Sequence, residues 1–273
     1  MKSDRSQRAA ALAFLGGLTP ETFPPLGEPE IDGVRHEVLV VGNGPGVLLM
    51  HELSGFGWEF ARLVQIISQR GFRVYAPVFF GQAGTSSFLS GCWSTLCVRR
   101  EFNVLKSRGP SRIAPWLRAL CRRIHADCGG NGVGVIGLCL TGSIVLSMIL
   151  EPCVIAPVMS DPAIPLYAMT EHGKGALGIP DADVAAARGR AFAERLRLIA
   201  IRFAGDWLSP GQRFDTVRRQ FGDRAELICI PTGPGTSCRR GSHSSLTKNF
   251  SPHDSHPTQQ ALNRVLEHFS TVL

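Results

Sequence analysis

The stretch "GLCLTG", residues 137–142, places Cys139 where the β-branched run "VGVIG" gives way to the apolar "LTGSIVLSMIL". A side chain set on a tight turn from strand to helix is held out above the sheet as a nucleophile. The backbone there is strained and closely packed, so its neighbours must be small. Gly137 and Gly142 meet that need. The strict spacing G-x-nucleophile-x-G would put the second glycine at 141, where this chain has the β-branched Thr141. The turn also sets the thiol at a helix N-terminus, where the dipole and free N–H groups favour thiolate. A plain buried cysteine would need no flanking glycines.

A thiol nucleophile needs a base, and the base needs a carboxylate to orient it. With a nucleophile on such an elbow the chain order is nucleophile, acid, histidine, the last two on loops after later strands. Asp206 fits, because "LIAIRFAGDW" is an apolar run that delivers its carboxylate at a strand's end; its competing use is to cap the next helix. Asp161, at the end of "CVIAPVMS", is the second choice. His243 in "GSHSSLT" follows the last predicted strand, and His253 and His256 in "SPHDSHP" lie nearer the final helix. His51, on an early strand, and His125, on a helix, read as structural.

The elements that must position these groups alternate along the chain. Strands are predicted at 34–41, 47–52, 72–80, 133–137, 153–160, 196–206 and 225–230. Helices are predicted at 58–71, 116–130, 140–150, 181–195, 210–221 and 257–270. Such alternation implies α/β architecture: one mostly parallel sheet with helices on both faces. Residues 1–30 read as an irregular, proline-rich arm and 31–273 as a single domain. Residues 81–115 follow no clean period and read as a long loop over the sheet edge.

The composition narrows the function. The 273 residues are 44% hydrophobic and 19% charged, which suits a globular chain. The formal charge of +7 comes from scattered arginine pairs without an aromatic RNA motif or zinc-finger spacing, so no nucleic-acid partner is expected. None of the eight cysteines forms a C-x-x-C pair, so neither a structural metal nor thioredoxin-like chemistry is expected. No secretory signal or membrane span is legible, and the expectation is a reduced, cytoplasmic protein without a membrane partner.

Four segments in order, "HELSGFG", "GLCLTG", "FAGDW" and "HSSLT" with "HPTQQALNRVLEHF", resemble the dienelactone hydrolase family from about residue 34 to the end. The resemblance implies a single-domain α/β-hydrolase fold and a cofactor-free, metal-free hydrolase of esters or lactones. It implies Cys139, Asp206 and His243 as a triad working through an acyl-thioester. It further implies Glu52 as partner of the resting thiol, and an oxyanion hole from the backbone N–H groups of Leu53 and Leu140. The arginines with which family members hold a substrate carboxylate are missing: the first region reads "VFFGQAG" and the second position is Thr247. Phe79, Phe80, Phe88 and Trp93 are expected near the mouth instead, favouring neutral, apolar small-molecule esters or lactones. The competing readings are a non-catalytic binding protein of the same fold and a redox-sensing thiol protein. The sequence does not specify an oligomeric state.

Overall fold

A computed structural model describes residues 10–11, 13–14, 20–22, 34, 36–79, 83, 112–163 and 170–273. Eight strands form one sheet in the order β1-β2-β4-β3-β5-β6-β7-β8. They are β1 (Pro20–Thr22), β2 (Glu37–Val41), β3 (Gly46–Met50), β4 (Arg73–Val78), β5 (Val133–Leu138), β6 (Val154–Ser160), β7 (Leu198–Phe203) and β8 (Ala225–Ile230). β1 and β2 run antiparallel to their neighbours, and β3 to β8 are mutually parallel. The mostly parallel α/β sheet expected from the alternation is therefore present.

The helices are α1 (Trp58–Gln69), α2 (Ile113–Cys128), α3 (Leu140–Met148), the single turn α4 (Glu171–Lys174), α5 (Asp181–Ala193), α6 (Gly211–Phe221) and α7 (Pro257–Val272). Alternate strand residues face opposite ways, so a strand covered on both sides feeds two cores. Leu48 and Met50 of β3 join α2, α3, α5 and α6 in one. Val47 and Leu49 join α1 and α7 in the other. The stripes Phe60, Leu63, Val64, Ile67 on α1 and Ala261, Leu262, Val265, Leu266, Phe269 on α7 are all buried.

Three local differences from the sequence reading have physical reasons. Residues 20–22, inside the stretch read as an irregular arm, pair with β2 as an edge strand, the place where a proline is tolerated in a sheet. α2 starts at Ile113 rather than 116, because Pro115 falls in the first turn, where no backbone N–H is required. β7 is shorter than 196–206: Arg195 takes a left-handed φ of 57° before it, and the chain turns at Ala204 after it.

The C-terminal ends of the parallel strands open along one edge, the usual place for a site in such a sheet. His51 is a fully buried tie there. Its Nε2 accepts from the Phe79 N–H at 3.0 Å, and its Nδ1 lies 2.8 Å from the Glu52 carbonyl, which fixes a neutral ring protonated at Nδ1. Burial lowers its pKa to about 4, against the Glu52 carbonyl bond and with a push from His36. A depressed histidine contributes stability above its unfolded value of 6.5 that is lost as pH falls through about 4. At about 1.4 kcal/mol per pH unit, that loss amounts to about 3 kcal/mol. Urea unfolding of wild type and His51→Asn, compared between pH 7 and 4, should show the difference between the two proteins shrinking as the pH falls.

Candidate active site

Cys139 has the strained geometry that an elbow demands. Its φ is 54° and ψ −115°, between the end of β5 and the first residue of α3. Positive φ is costly for a residue with a Cβ and persists only where the surroundings over-determine it. The Cys139 N–H donates to the Ser160 carbonyl at 2.9 Å, and its carbonyl accepts from Ala163 at 2.9 Å and Gly142 at 3.0 Å. The turn after β6 thus holds the elbow from both sides. A Cβ on Gly137 would lie 2.4 Å from the Thr141 carbonyl, and one on Gly142 would lie 3.0 Å from the Pro162 Cα. Close approach, not backbone freedom, requires both glycines.

Thr141, the departure from the strict pattern, ties the turn together. Its buried hydroxyl accepts from the Leu138 N–H at 2.8 Å. Its proton can go to the carbonyl of Leu138 at 2.9 Å, Met50 at 3.1 Å or His51 at 3.3 Å. It joins the ends of β3 and β5 where a glycine could not.

Asp206 and His243 are brought together. Asp206 sits in the turn after β7, and its Oδ2 lies 2.6 Å from Nδ1 of His243, which comes from the long connection between β8 and α7. The other oxygen, Oδ1, accepts from Leu208 N at 2.9 Å and Ser209 N at 3.2 Å. This aspartate therefore does not cap α6, whose N-cap is Pro210 with no side-chain bond; its second oxygen fastens the loop that leads into that helix. Burial opposes a charged His243 ring. The Asp206 bond and the neighbouring Cys139 thiol prevail, helped by the Asp161 charge, and raise its pKa to about 11. Nε2, also buried, has no partner of full hydrogen-bond geometry, although the Cys139 sulfur is near enough to help hold the charge on the ring.

Two further carboxylates hold the histidine loop. Glu52 is 5% exposed; Oε2 accepts from Ser244 at 2.8 Å and Ser54 at 3.3 Å, while Oε1 accepts from Thr247. Those three hydroxyls, not the Cys139 thiol, are the hydrogen-bond partners of Glu52 among the described residues. Thr247 is correspondingly committed to Glu52. On the other side, Oδ2 of Asp161 accepts from Ser245 N and Oγ, both at 2.6 Å, and from Ser160 Oγ at 3.0 Å.

Arg213 of α6, which the sequence reading passed over as part of a helix, lies fully buried behind the site. It donates to the carbonyls of Pro162 at 2.7 Å, Ala176 at 2.7 Å, Leu208 at 3.2 Å and Gly173 at 3.3 Å. It thereby joins the turn after Asp161 to the turn after Asp206. Burial lowers its pKa to about 10, against the pull of Asp206 and Cys139, so it stays charged at neutral pH. Its sequence signal is weak, since an arginine in an amphipathic helix is ordinarily a solvated charge. Arg202 of β7 is similar: Nε donates to Ser209 O at 2.7 Å and Nη2 to Asp206 O at 3.4 Å, shaping the loop that carries the aspartate.

The remaining candidates fall elsewhere. His256 is the N-cap of α7, with Nδ1 2.7 Å from Thr258 Oγ1, and His253 is exposed. Leu140 is the first residue of α3, so its N–H is among the donors a helix start leaves over, and Leu53 lies in the turn after β3. Phe79 is not at a mouth: it is 6% exposed and packs edge-on against His36 and tilted against His51 in the core. Phe80, Phe88 and Trp93 lie outside the described residues. Among the described residues no helix is long and apolar enough to cross a membrane.

The sheet order, the strained elbow after β5 and the acid and histidine on later loops define an α/β-hydrolase fold. Solved structures that it resembles within that fold include dienelactone hydrolases. One is that of Anabaena variabilis (TM-score 0.59, 13% identity, covering 94% of this chain and 99% of that one). Another is a dienelactone hydrolase-like promiscuous phosphotriesterase from metagenomic libraries (TM-score 0.60, 14% identity, 93% and 98% covered). In sequence, the chain is 27% identical over 131 residues to a carboxymethylenebutenolidase homolog of Mus musculus, 42% of this chain and 50% of that protein. The alignment thus spans about half the length of that relative. No protein-family model matches the chain.

The role of Thr141 can be measured. Thr141→Val leaves the buried Leu138 N–H without its acceptor and should cost about 1–3 kcal/mol in urea unfolding, whereas Thr141→Ser should stay close to wild type. Equal stability of the valine and serine variants would show that the hydroxyl does not hold the turn.

Proposed function

We propose that the protein is a hydrolase of carboxylic esters or lactones that uses Cys139 as nucleophile, His243 as proton carrier and Asp206 to orient His243. The observation that carries this reading is the 2.6 Å bond between Asp206 and His243, with Nε2 left unpartnered beside a strained cysteine at a helix start. A hydrogen bond of this kind is often long in a free enzyme and tightens once substrate is bound.

The steps follow from the groups present. The Cys139 thiolate adds to the substrate carbonyl carbon, and the resulting oxyanion takes hydrogen bonds from the N–H groups of Leu53 and Leu140. The tetrahedral species collapses to an acyl-thioester as the alkoxide leaves, taking its proton from the His243 imidazolium. Neutral His243 then removes a proton from water, which attacks the thioester carbonyl. The acid is released as the thiolate departs, and the imidazolium is restored. Asp206 stabilises the charged ring throughout and fixes its orientation. The sequence needs no cofactor.

The charge around the site bears on the substrate. Glu52, Asp161 and Asp206 lie beneath it, Arg213 is saturated by carbonyls, and Thr247 is spent on Glu52. A substrate carboxylate gains no charge-assisted clamp from these groups, each such bond being worth about 1.5–3 kcal/mol.

Three measurements follow. In a screen of p-nitrophenyl esters and lactones, wild type should turn over neutral substrates, and Cys139→Ala should abolish that turnover. Asp206→Asn and His243→Ala should each reduce it by about two orders of magnitude or more, with the double variant little worse than the poorer single one. Loss of activity in His253→Ala or His256→Ala but not in His243→Ala would move the base elsewhere.

Limiting iodoacetamide at neutral pH should label Cys139 ahead of the exposed Cys229, and burial keeps the thiols of Cys121, Cys153 and Cys238 protonated. Peptide mapping showing Cys229 or Cys238 labelled first would count against the elbow. Neutral esters or lactones should also exceed anionic lactones in kcat/KM; the reverse order would require a clamp supplied by other residues.

A further inference from the structure

Asp161 is more than the clamp its hydrogen bonds describe. All three donors to it converge on Oδ2, and Oδ1, equally buried, has no partner. A clamp alone would be served by a neutral acceptor. A carboxyl at 1% exposure keeps its charge only beside a counter-charge, and among the described residues no lysine or arginine forms an ion pair with it. The cation at hand is the imidazole: Asp161, Asp206 and His243 each offer an atom within 4.8 Å of the others.

The groups facing that ring can be named. Asp206 comes from the turn after β7, Asp161 from the turn after β6 and the Cys139 thiol from the elbow. Arg213 of α6 acts on Asp206 and Cys139, and Arg202 of β7 holds the Asp206 carbonyl. Glu52, after β3, reaches the same loop through Ser244.

We propose that Asp161 is a second carboxylate for the His243 imidazolium, a positioning residue that shares the charge with Asp206 and sustains part of the activity when Asp206 is lost. The proposal rests on the reading of Cys139, Asp206 and His243 as a triad. Its physical basis is that two anions close to one cation stabilise it in part independently, so removing one leaves the other more to do. Asp161→Asn keeps an acceptor for Ser245 and removes only the charge.

The experiment has a kinetic arm and a spectroscopic arm. In the first, Asp161→Asn is made in wild type and in Asp206→Asn, and kcat/KM for p-nitrophenyl acetate is measured. The substitution should cost about threefold in wild type and about thirtyfold or more in the Asp206→Asn background, a departure from additivity expected of groups acting on one centre. An equal factor in both backgrounds, or none in the second, overturns the proposal.

In the second arm the His243 ring is titrated by NMR in Cys139→Ser/Asp206→Asn, where Asp161 is intact and both other anions are gone. The midpoint is compared with that of the same variant carrying Asp161→Asn as well, so that burial is common to both: a higher midpoint with Asp161 intact supports the proposal, and equal midpoints overturn it. Ser245→Ala, which weakens the clamp but keeps the charge, should leave that midpoint in place; a fall there would assign Asp161 a purely structural role. The second arm needs no turnover. If Cys139→Ala retained activity, the triad reading would fail while the titration still decided the role of Asp161.

Discussion

The backbone of Cys139, forced to a φ of 54°, is the constraint on which the rest of the site depends. Holding a residue with a Cβ there costs of order 1–3 kcal/mol, and the surroundings must make the alternative worse. Gly137 lets the helix start close over the strand. Thr141 satisfies the Leu138 N–H that the turn would otherwise strand, and the 160–163 turn grips both the N–H and the carbonyl of Cys139. These devices come from β3, β5, β6 and α3, so the elbow is a property of the sheet and not of a short motif.

The second organising fact is electrostatic. Glu52, Asp161 and Asp206 bring three carboxylates out of water within one region, against the buried Arg213 and the His243 ring. Burial alone would neutralise such groups, and it pushes the Asp161 carboxyl up in spite of His243 and the Ser245 bonds. What keeps the arrangement is hydrogen bonding from hydroxyls and backbone N–H groups that the fold delivers at fixed positions. The same bonds that stabilise the carboxylates also place the histidine.

Much of this was legible in the sequence because periodicity and local turn chemistry are local signals. The run "AELICI" marks strand β8 at its observed bounds, and the apolar spacing marks the buried stripes of α1 and α7 residue by residue. Asp206 and His243 were legible as a pair because each follows an apolar strand run in the order the elbow requires. What the sequence did not disclose depends on long-range placement. The commitment of Glu52 to Ser244 and Thr247 joins residues far apart in the chain, and nothing near Arg213 marks it as buried. Phe79 lies in the core and not at the expected mouth, because an aromatic at a strand end has the same sequence signature whether it faces a cleft or the core. Only its contacts with His36 and His51 separate the two.

The clamp on the histidine loop also bears on how the molecule assembles. Ser244 and Thr247 reach Glu52 across 192 and 195 residues, and Ser245 reaches Asp161 across 84. Contacts of such separation form only after the intervening chain has been ordered, because the entropy of closing so large a loop must be met first. Loop-closure entropy thus favours an order in which the β8-to-α7 connection docks onto a sheet already built. Until it docks, Cys139 stands on its elbow without the His243 ring, and chains halted at that stage would leave the thiol without its imidazole neighbour.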